Sequence, residues 1–300
     1  MSTINGTAGA DTLEGLSGND TIDGLGGADV IRGNGGNDNI LGGDGADTIG
    51  GGAGLDTIEG QGDNDLIFGG TDASADLIDG GTGNDQIFAG GGDDQLFGGD
   101  GNDTLGGGAG ADTLRTGAGE DQAFGSVGDD SILNNVGGNT AAFGGDGNDT
   151  INMSTGNDTV GGGNGNDFIS ANVGEDLIFG GAGDDTVSGA GGADTLWGGA
   201  GDDNINGGLS GRLQNTDSDV LAFDDNHGND FVSNFDDGTG VSQDIIDLRE
   251  VIGIESINDI TITEQNAGTL NVRSVVDYGS GTITLLNVER ANLDSSDFLF

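Results

Sequence analysis

The sequence predicts an all-β fold, a right-handed parallel β-solenoid with two nine-residue units per turn and about eleven turns, and three observations carry that expectation. An aspartate recurs every nine residues, at 11, 20, 29, 38, 47, 56 and 65 and, after a two-residue slip, at 76, 85, 94, 103, 112, 121 and 130. The next slot holds Asn139, one residue is inserted, and the aspartates resume at 149, 158, 167, 176, 185, 194 and 203. Two residues after each stands an aliphatic, from Leu13 and Ile22 to Ile205, with only Ala123 and Ala141 small there. Two residues before each acid stands a glycine, Asp63 and Ser74 excepted.

The unit reads G-G-x-G-x-D-x-U-x, with U aliphatic. Its glycines permit positive φ and close backbone approach, so the first six residues suit a tight loop and disfavour a helix. Residues such as Asp47-Thr48-Ile49 then form a short strand with Ile49 inward and its neighbours outward. Two units close a flattened coil whose successors pair as parallel strands; at roughly 4.8 Å per strand, eleven coils span about 50 Å. The stacked aliphatics make a thin core. Each contributes roughly 1.5–3 kcal/mol, whereas ordering nine residues costs on the order of ten or more, so a ligand must supply the difference.

Composition says the same. The chain has 68 glycines, no proline or cysteine, no lysine, and 53 acids against six arginines, for a formal charge of -47. Such a chain should be largely unfolded without a counterion. The charge excludes nucleic acid as a partner, since phosphate binding needs clustered basic residues, and argues against adsorption to anionic membranes. A disulfide scaffold is excluded. Met1 to Gly6 runs into the first repeat with neither a basic nor an apolar segment, so no Sec-type signal peptide and no transmembrane segment are expected.

The aspartates identify the ligand. Loops eighteen residues apart stack, Asp29 over Asp47 and Asp38 over Asp56, joining carboxylates to turn carbonyls. An all-oxygen site of variable coordination suits calcium better than magnesium. The candidate metal residues are Asp11, Asp20, Asp29, Asp38, Asp47, Asp56, Asp65, Asp85, Asp94, Asp103, Asp112, Asp121, Asp130, Asp149, Asp158, Asp167, Asp176, Asp185, Asp194 and Asp203. About twenty ions would offset most of the charge.

These nonapeptides, over about residues 6–208, resemble the calcium-binding β-roll of the repeats-in-toxin (RTX) family. The resemblance implies that loop carbonyls and the sixth-position aspartate bind calcium. It carries over best onto the units ending at Asp47, Asp56, Asp85, Asp103, Asp112, Asp149, Asp167, Asp185 and Asp203. Loops Thr71 to Asp76, Asn134 to Asn139, Met153 to Asp158 and Ala171 to Asp176 depart from it. The units ending at Asp121, Asn139, Asp158 and Asp176 all fall in the odd series, so one edge is expected to bind calcium more weakly near its middle. Phe68, Phe88, Phe124, Phe179 and Trp197 also fall in odd units, as a stripe on one outer sheet face. Two readings stand open for it: rings that stack on one another and shield the sheet, or a surface for self-association or a glycan.

After Gly208 the period stops. Residues 209–218 read as a linker and 219–300 as a small β-domain able to cover the end of the roll, with strands near Val220–Phe223, Asp230–Phe235, Asp244–Leu248, Asp259–Thr263, Thr269–Val276 and Thr282–Leu286. Gly228 to Val232, Asn234 to Asp236, Asp244 to Leu248 and the closing Asp297-Phe298-Leu299-Phe300 resemble the segment that follows the repeats in serralysin-type and other type I secretion substrates. That implies export by the type I machinery. Asp236, Asp244 and Asp247 offer a further calcium site, with a solvated turn as the competing reading.

Catalytic residues are scarce. His227 is the single histidine and reads as a solvated loop residue; there is no cysteine, lysine or G-x-S-x-G motif. The expectation is a secreted, non-enzymatic calcium-binding protein that folds in extracellular calcium, with a structural or adhesive role outside the cell or on its surface. Two alternatives remain: a membrane-active protein, because the layout resembles the secreted pore-forming nodulation protein O, or a carbohydrate-binding accessory of an extracellular enzyme.

Overall fold

A computed structural model describes residues 1–208, 218–224, 227–235, 243–251, 254–265, 273–278, 281–286, 288 and 292–300. Among these the secondary structure is β-strand apart from a three-residue 3-10 turn, Ile257–Asp259, and 3-10 backbone at Asn292. The chain divides into two compact units, Met1–Thr150 and Ile151–Phe300.

In Met1–Thr150 every strand pairs in parallel with the next strand but one, so each coil places one strand in each of two sheets. Register follows the repeat: Ile22 lies beside Ile40, and Ile31 beside Ile49. The inward row, Ile22 through Leu114, is fully buried, because alternate residues of a strand face opposite sides and only the aliphatic phase points inward.

The strands are longer than the triplets that the sequence suggests. Thr48–Ala53, for example, runs on through three loop residues. This is possible because the neighbour one coil away is also glycine or small, as in Asn34 beside Gly52, and the backbones approach closely enough to stay paired. Gly45 shows the requirement: its φ is 122°, and a Cβ there would stand 2.4 Å from the Gly27 carbonyl oxygen one coil back.

One phase assignment is corrected. Gln122 pairs with Ala141 and Ala123 with Ala142, so the acid slot falls on Thr140, not Asn139, and the inward slot on Ala142, not Ala141. The inserted residue precedes the slot. Asn134 explains this: its Oδ1 accepts the N–H groups of Val136 and Gly137, and its Nδ2 donates to Thr140 Oγ1, so the longer loop closes on itself.

In Ile151–Phe300 the parallel pairing continues beyond the last nonapeptide. Thr195–Ala200 pairs with Val220–Asp224, which pairs with Ile245–Glu250 and then Phe298–Leu299. On the other sheet Asn204–Gly208 pairs with Asn229–Ser233 and then Thr282–Leu286. Arg273–Asp277 and Thr261–Gln265 add antiparallel to that edge. Residues 209–217 of the expected linker, Asp236 and the first four residues, 269–272, of the strand expected up to Val276 lie outside the described residues.

Candidate metal centre

Each repeat aspartate uses its two carboxylate oxygens differently. Oδ1 accepts the backbone N–H of the aspartate one coil earlier: Asp29 donates to Asp47 at 2.7 Å and Asp38 to Asp56 at 2.8 Å. In Met1–Thr150 one such ladder runs from Asp11 to Asp121 and the other from Asp20 to Asp149, by way of Asp76. In Ile151–Phe300 one links Asp158, Asp176, Asp194, Asp219 and Asp244, the other Asp167, Asp185, Asp203 and Asp230. All twenty candidate aspartates stand in these ladders.

Oδ2 is the chemically telling atom. In Asp29, Asp38, Asp47, Asp56, Asp65, Asp85, Asp94, Asp103, Asp112, Asp130, Asp176, Asp185 and Asp203 it is buried with no hydrogen-bond partner. A buried carboxylate oxygen left so costs far more than a neutral group. Where the first loop position is glycine, as it is before Asp56 and Asp65, Oδ2 faces that glycine and a carbonyl of the next coil. A Cβ on Gly51 would lie 2.5 Å from Asp56 Oδ2 and 2.8 Å from the Gly69 carbonyl oxygen; on Gly60 it would lie 2.3 Å from Asp65 Oδ2 and 2.6 Å from the Gly80 oxygen. Orphaned carboxylate oxygens beside converging carbonyls in a cradle that only glycine leaves open fit a hard, oxygen-liganded cation such as calcium. Among the described residues no three His, Cys, Asp or Glu side chains cluster, so carbonyls must supply much of any coordination.

Electrostatics point the same way. Two carboxylates about 5 Å apart repel by about 3 kcal/mol at an effective dielectric of 20, roughly what one buried aliphatic contributes. Burial first, and neighbouring aspartates second, push the Asp65, Asp103, Asp130 and Asp185 carboxyls up to about 7, and those of Asp56, Asp112, Asp176 and Asp203 up to about 6. The backbone N–H bond to Oδ1 opposes this but does not outweigh it.

Several loops differ. At the amino end the Thr7 N–H donates to Asp11 Oδ2 and the Leu16 N–H to Asp20 Oδ2, so neither oxygen is orphaned. Elsewhere a side chain takes the first loop position: buried Ala89 before Asp94, Thr116 before Asp121, Asn134 before Thr140, Met153 before Asp158 and Ala171 before Asp176. All but the Asp94 loop are among those the sequence marks as degenerate, together with Thr71–Asp76. Asp76 nevertheless keeps its place, its Oδ2 standing 2.6 Å from a Cβ on Gly69.

Asp76, which the count finds but whose glycine-poor loop set it apart from the metal candidates, is a ladder member, as are Asp219 and Asp230, which lie past the end of the period. A shorter signal finds them: each is followed two residues on by a large aliphatic, Ile78, Leu221 and Val232, as Asp244 is by Ile246. One other expectation is corrected. His227 is buried rather than solvated, because its Nδ1 donates to Asp230 Oδ2 while the Tyr278 hydroxyl donates to Nε2. At Asp247, offered by the sequence for a further calcium site, Arg249 grips both carboxylate oxygens and lowers the pKa.

The model of the RTX calcium-binding nonapeptide repeat matches successive overlapping segments from residues 5–40 to residues 179–210. A search of curated proteins finds no match. Among solved structures, the extracellular lipase LipA from Serratia marcescens matches at 21% identity over 79% of this chain, with a TM-score of 0.36. This chain spans 40% of that lipase. Repeats of this type bind calcium and form a scaffold that is not catalytic by itself. With the aspartate ladders and glycine cradles repeating in the same phase as the matched segments, the chain belongs to the RTX calcium-binding nonapeptide repeat family.

Proposed function

We propose that this is an extracellular protein whose fold is completed by calcium, about one ion per intact loop and on the order of twenty in all, with a structural or adhesive role outside the cell or on its surface. The single observation that carries the reading is the row of buried Oδ2 atoms without hydrogen-bond partners. Calcium bound between a carboxylate and the carbonyls of the next coil would neutralise them, and its binding energy becomes folding energy. Low cytosolic calcium then leaves the chain unfolded and fit for export through a type I channel, with the segment ending at Phe300 as the address. Calcium at about 10⁻⁴–10⁻³ M outside the cell would fold it.

Calcium titrated into the chelated protein at pH 7.5 should convert a disordered far-UV circular dichroism spectrum into a β spectrum, with many ions taken up per chain by calorimetry. A chelated chain that is already folded at that pH would end the reading. Dye release from liposomes by the calcium-loaded protein would replace the adhesive role with the membrane-active one.

A further inference from the structure

In Met1–Thr150 one sheet runs through eight parallel strands, from Thr12–Glu14 to Ala141–Asp146, and the seven from Val30–Gly35 onward carry the face of interest. The third residue of each points outward, and in order these are Arg32, Gly50, Phe68 and Phe88, then Gly106, Phe124 and Phe143. Phe143 joins the line because of the corrected phase. Phe68 and Phe88 stack at 5.8 Å between centroids, and Phe124 and Phe143 at 5.7 Å. Rings stacked across neighbouring strands stand on edge, so a ring beside a glycine shows that glycine an open face. A Cβ on Gly50 would meet nothing within 4 Å, and a groove of about 760 Å³ lies over it between Arg32 and Phe68. All four phenylalanines remain 37–44% exposed.

We propose that this face is a self-association surface whose occupant is a second copy of the chain. The line Arg-Gly-Phe-Phe-Gly-Phe-Phe is complementary to its own reverse. A two-fold axis through Phe88 sets that ring against its copy, Phe68 opposite Gly106, Phe124 opposite Gly50 and Phe143 opposite Arg32. The Phe124 ring enters the open gap over Gly50, the Phe68 ring lies over Gly106 against the Phe88 ring that leans on it, the guanidinium beside Glu14 meets a ring face, and the contact is isologous, as closed dimers require. Both copies share one strand spacing, about 4.8 Å, so the match holds along the whole line.

Charge selects the same face. None of the outward positions on these seven strands is acidic, in a chain with 53 acids, and the acid on the strand beside them, Glu14, is paired with Arg32, whereas the other sheet carries Glu59 and Asp79 on adjacent strands. Repulsion between two copies is therefore least here. Seven strands by three outward positions cover about 500 Å² per copy, or about 1,000 Å² in the pair, which reaches the lower limit of a specific interface. The inference requires only a folded chain, which the calcium-dependent β spectrum verifies independently.

Sedimentation velocity in saturating calcium should show a dimer that Phe88→Glu weakens about tenfold or more, while Phe97→Glu on the other sheet leaves it intact. The chain has no cysteine, so Phe88→Cys should cross-link to its own copy on mild oxidation and Phe97→Cys should not; this decides the matter if Phe88→Glu disturbs the spectrum. A wild-type monomer at all concentrations, or a dimer indifferent to both Phe88 variants, overturns the proposal. So does a monomer that binds hydroxyethylcellulose and loses it in Phe68→Ala, which would assign the face to a neutral glycan.

Discussion

Gly50 and Gly51 are neighbours with opposite duties. Gly50 looks outward, where a Cβ meets nothing within 4 Å; Gly51 looks inward, where a Cβ would crowd Asp56 Oδ2 and the Gly69 carbonyl oxygen. Gly50→Ala should leave the calcium midpoint of folding unchanged. Gly51→Ala should raise it and remove about one ion from the stoichiometry, as read by titration calorimetry and circular dichroism. Equal effects from the two would show that the cradle is not where calcium binds. The aspartate itself was legible from its nine-residue phase. That its two oxygens divide, one into a backbone ladder and one into the cradle, was not, because composition and spacing say nothing of which rotamer packing imposes.

At the scale of the coil, the loops differ by what fills their first position. Asp56 has Gly51 there, whereas Asp176 has buried Ala171. Asp56→Asn should therefore cost more calcium affinity than Asp176→Asn, seen as a larger rightward shift of the folding midpoint; the reverse order would sink the link between cradle and metal. The coil also shows why the slot beside Asp121 was misread. Spacing alone put it at Asn139, since a one-residue insertion can fall on either side of an acid slot that carries no acid. Only strand register placed Thr140 there, and with it Phe143 in the aromatic line. Likewise His227 looked solvated because the residues around it in sequence are polar, yet Tyr278 and Asp230 enclose it from elsewhere in the chain.

For the whole molecule the controlling quantity is the sum of buried carboxyls. Their raised pKa values mean that the metal-free fold binds more protons than the unfolded chain. The stability these groups contribute is present below the ordinary value of 3.8 and is lost as pH rises through about 6 to 7. In chelator, β structure by circular dichroism should thus be greater at pH 5 than at pH 7.5. With calcium the order inverts, because protons compete for the same oxygens, and the midpoint should move to higher calcium on acidification. A midpoint independent of pH between 5 and 7.5 would show that these carboxyls are not the ligands. The sequence by itself determined the parallel all-β fold, its inward aliphatic row and the identity of the ion, because each rests on a local period that every coil repeats. Only tertiary structure decided that both sheets run on past Gly208, which aspartates complete the ladders there, and where the outer rings line up. Those depend on register between strands far apart in the chain, set by backbone pairing and close packing once the period has lapsed.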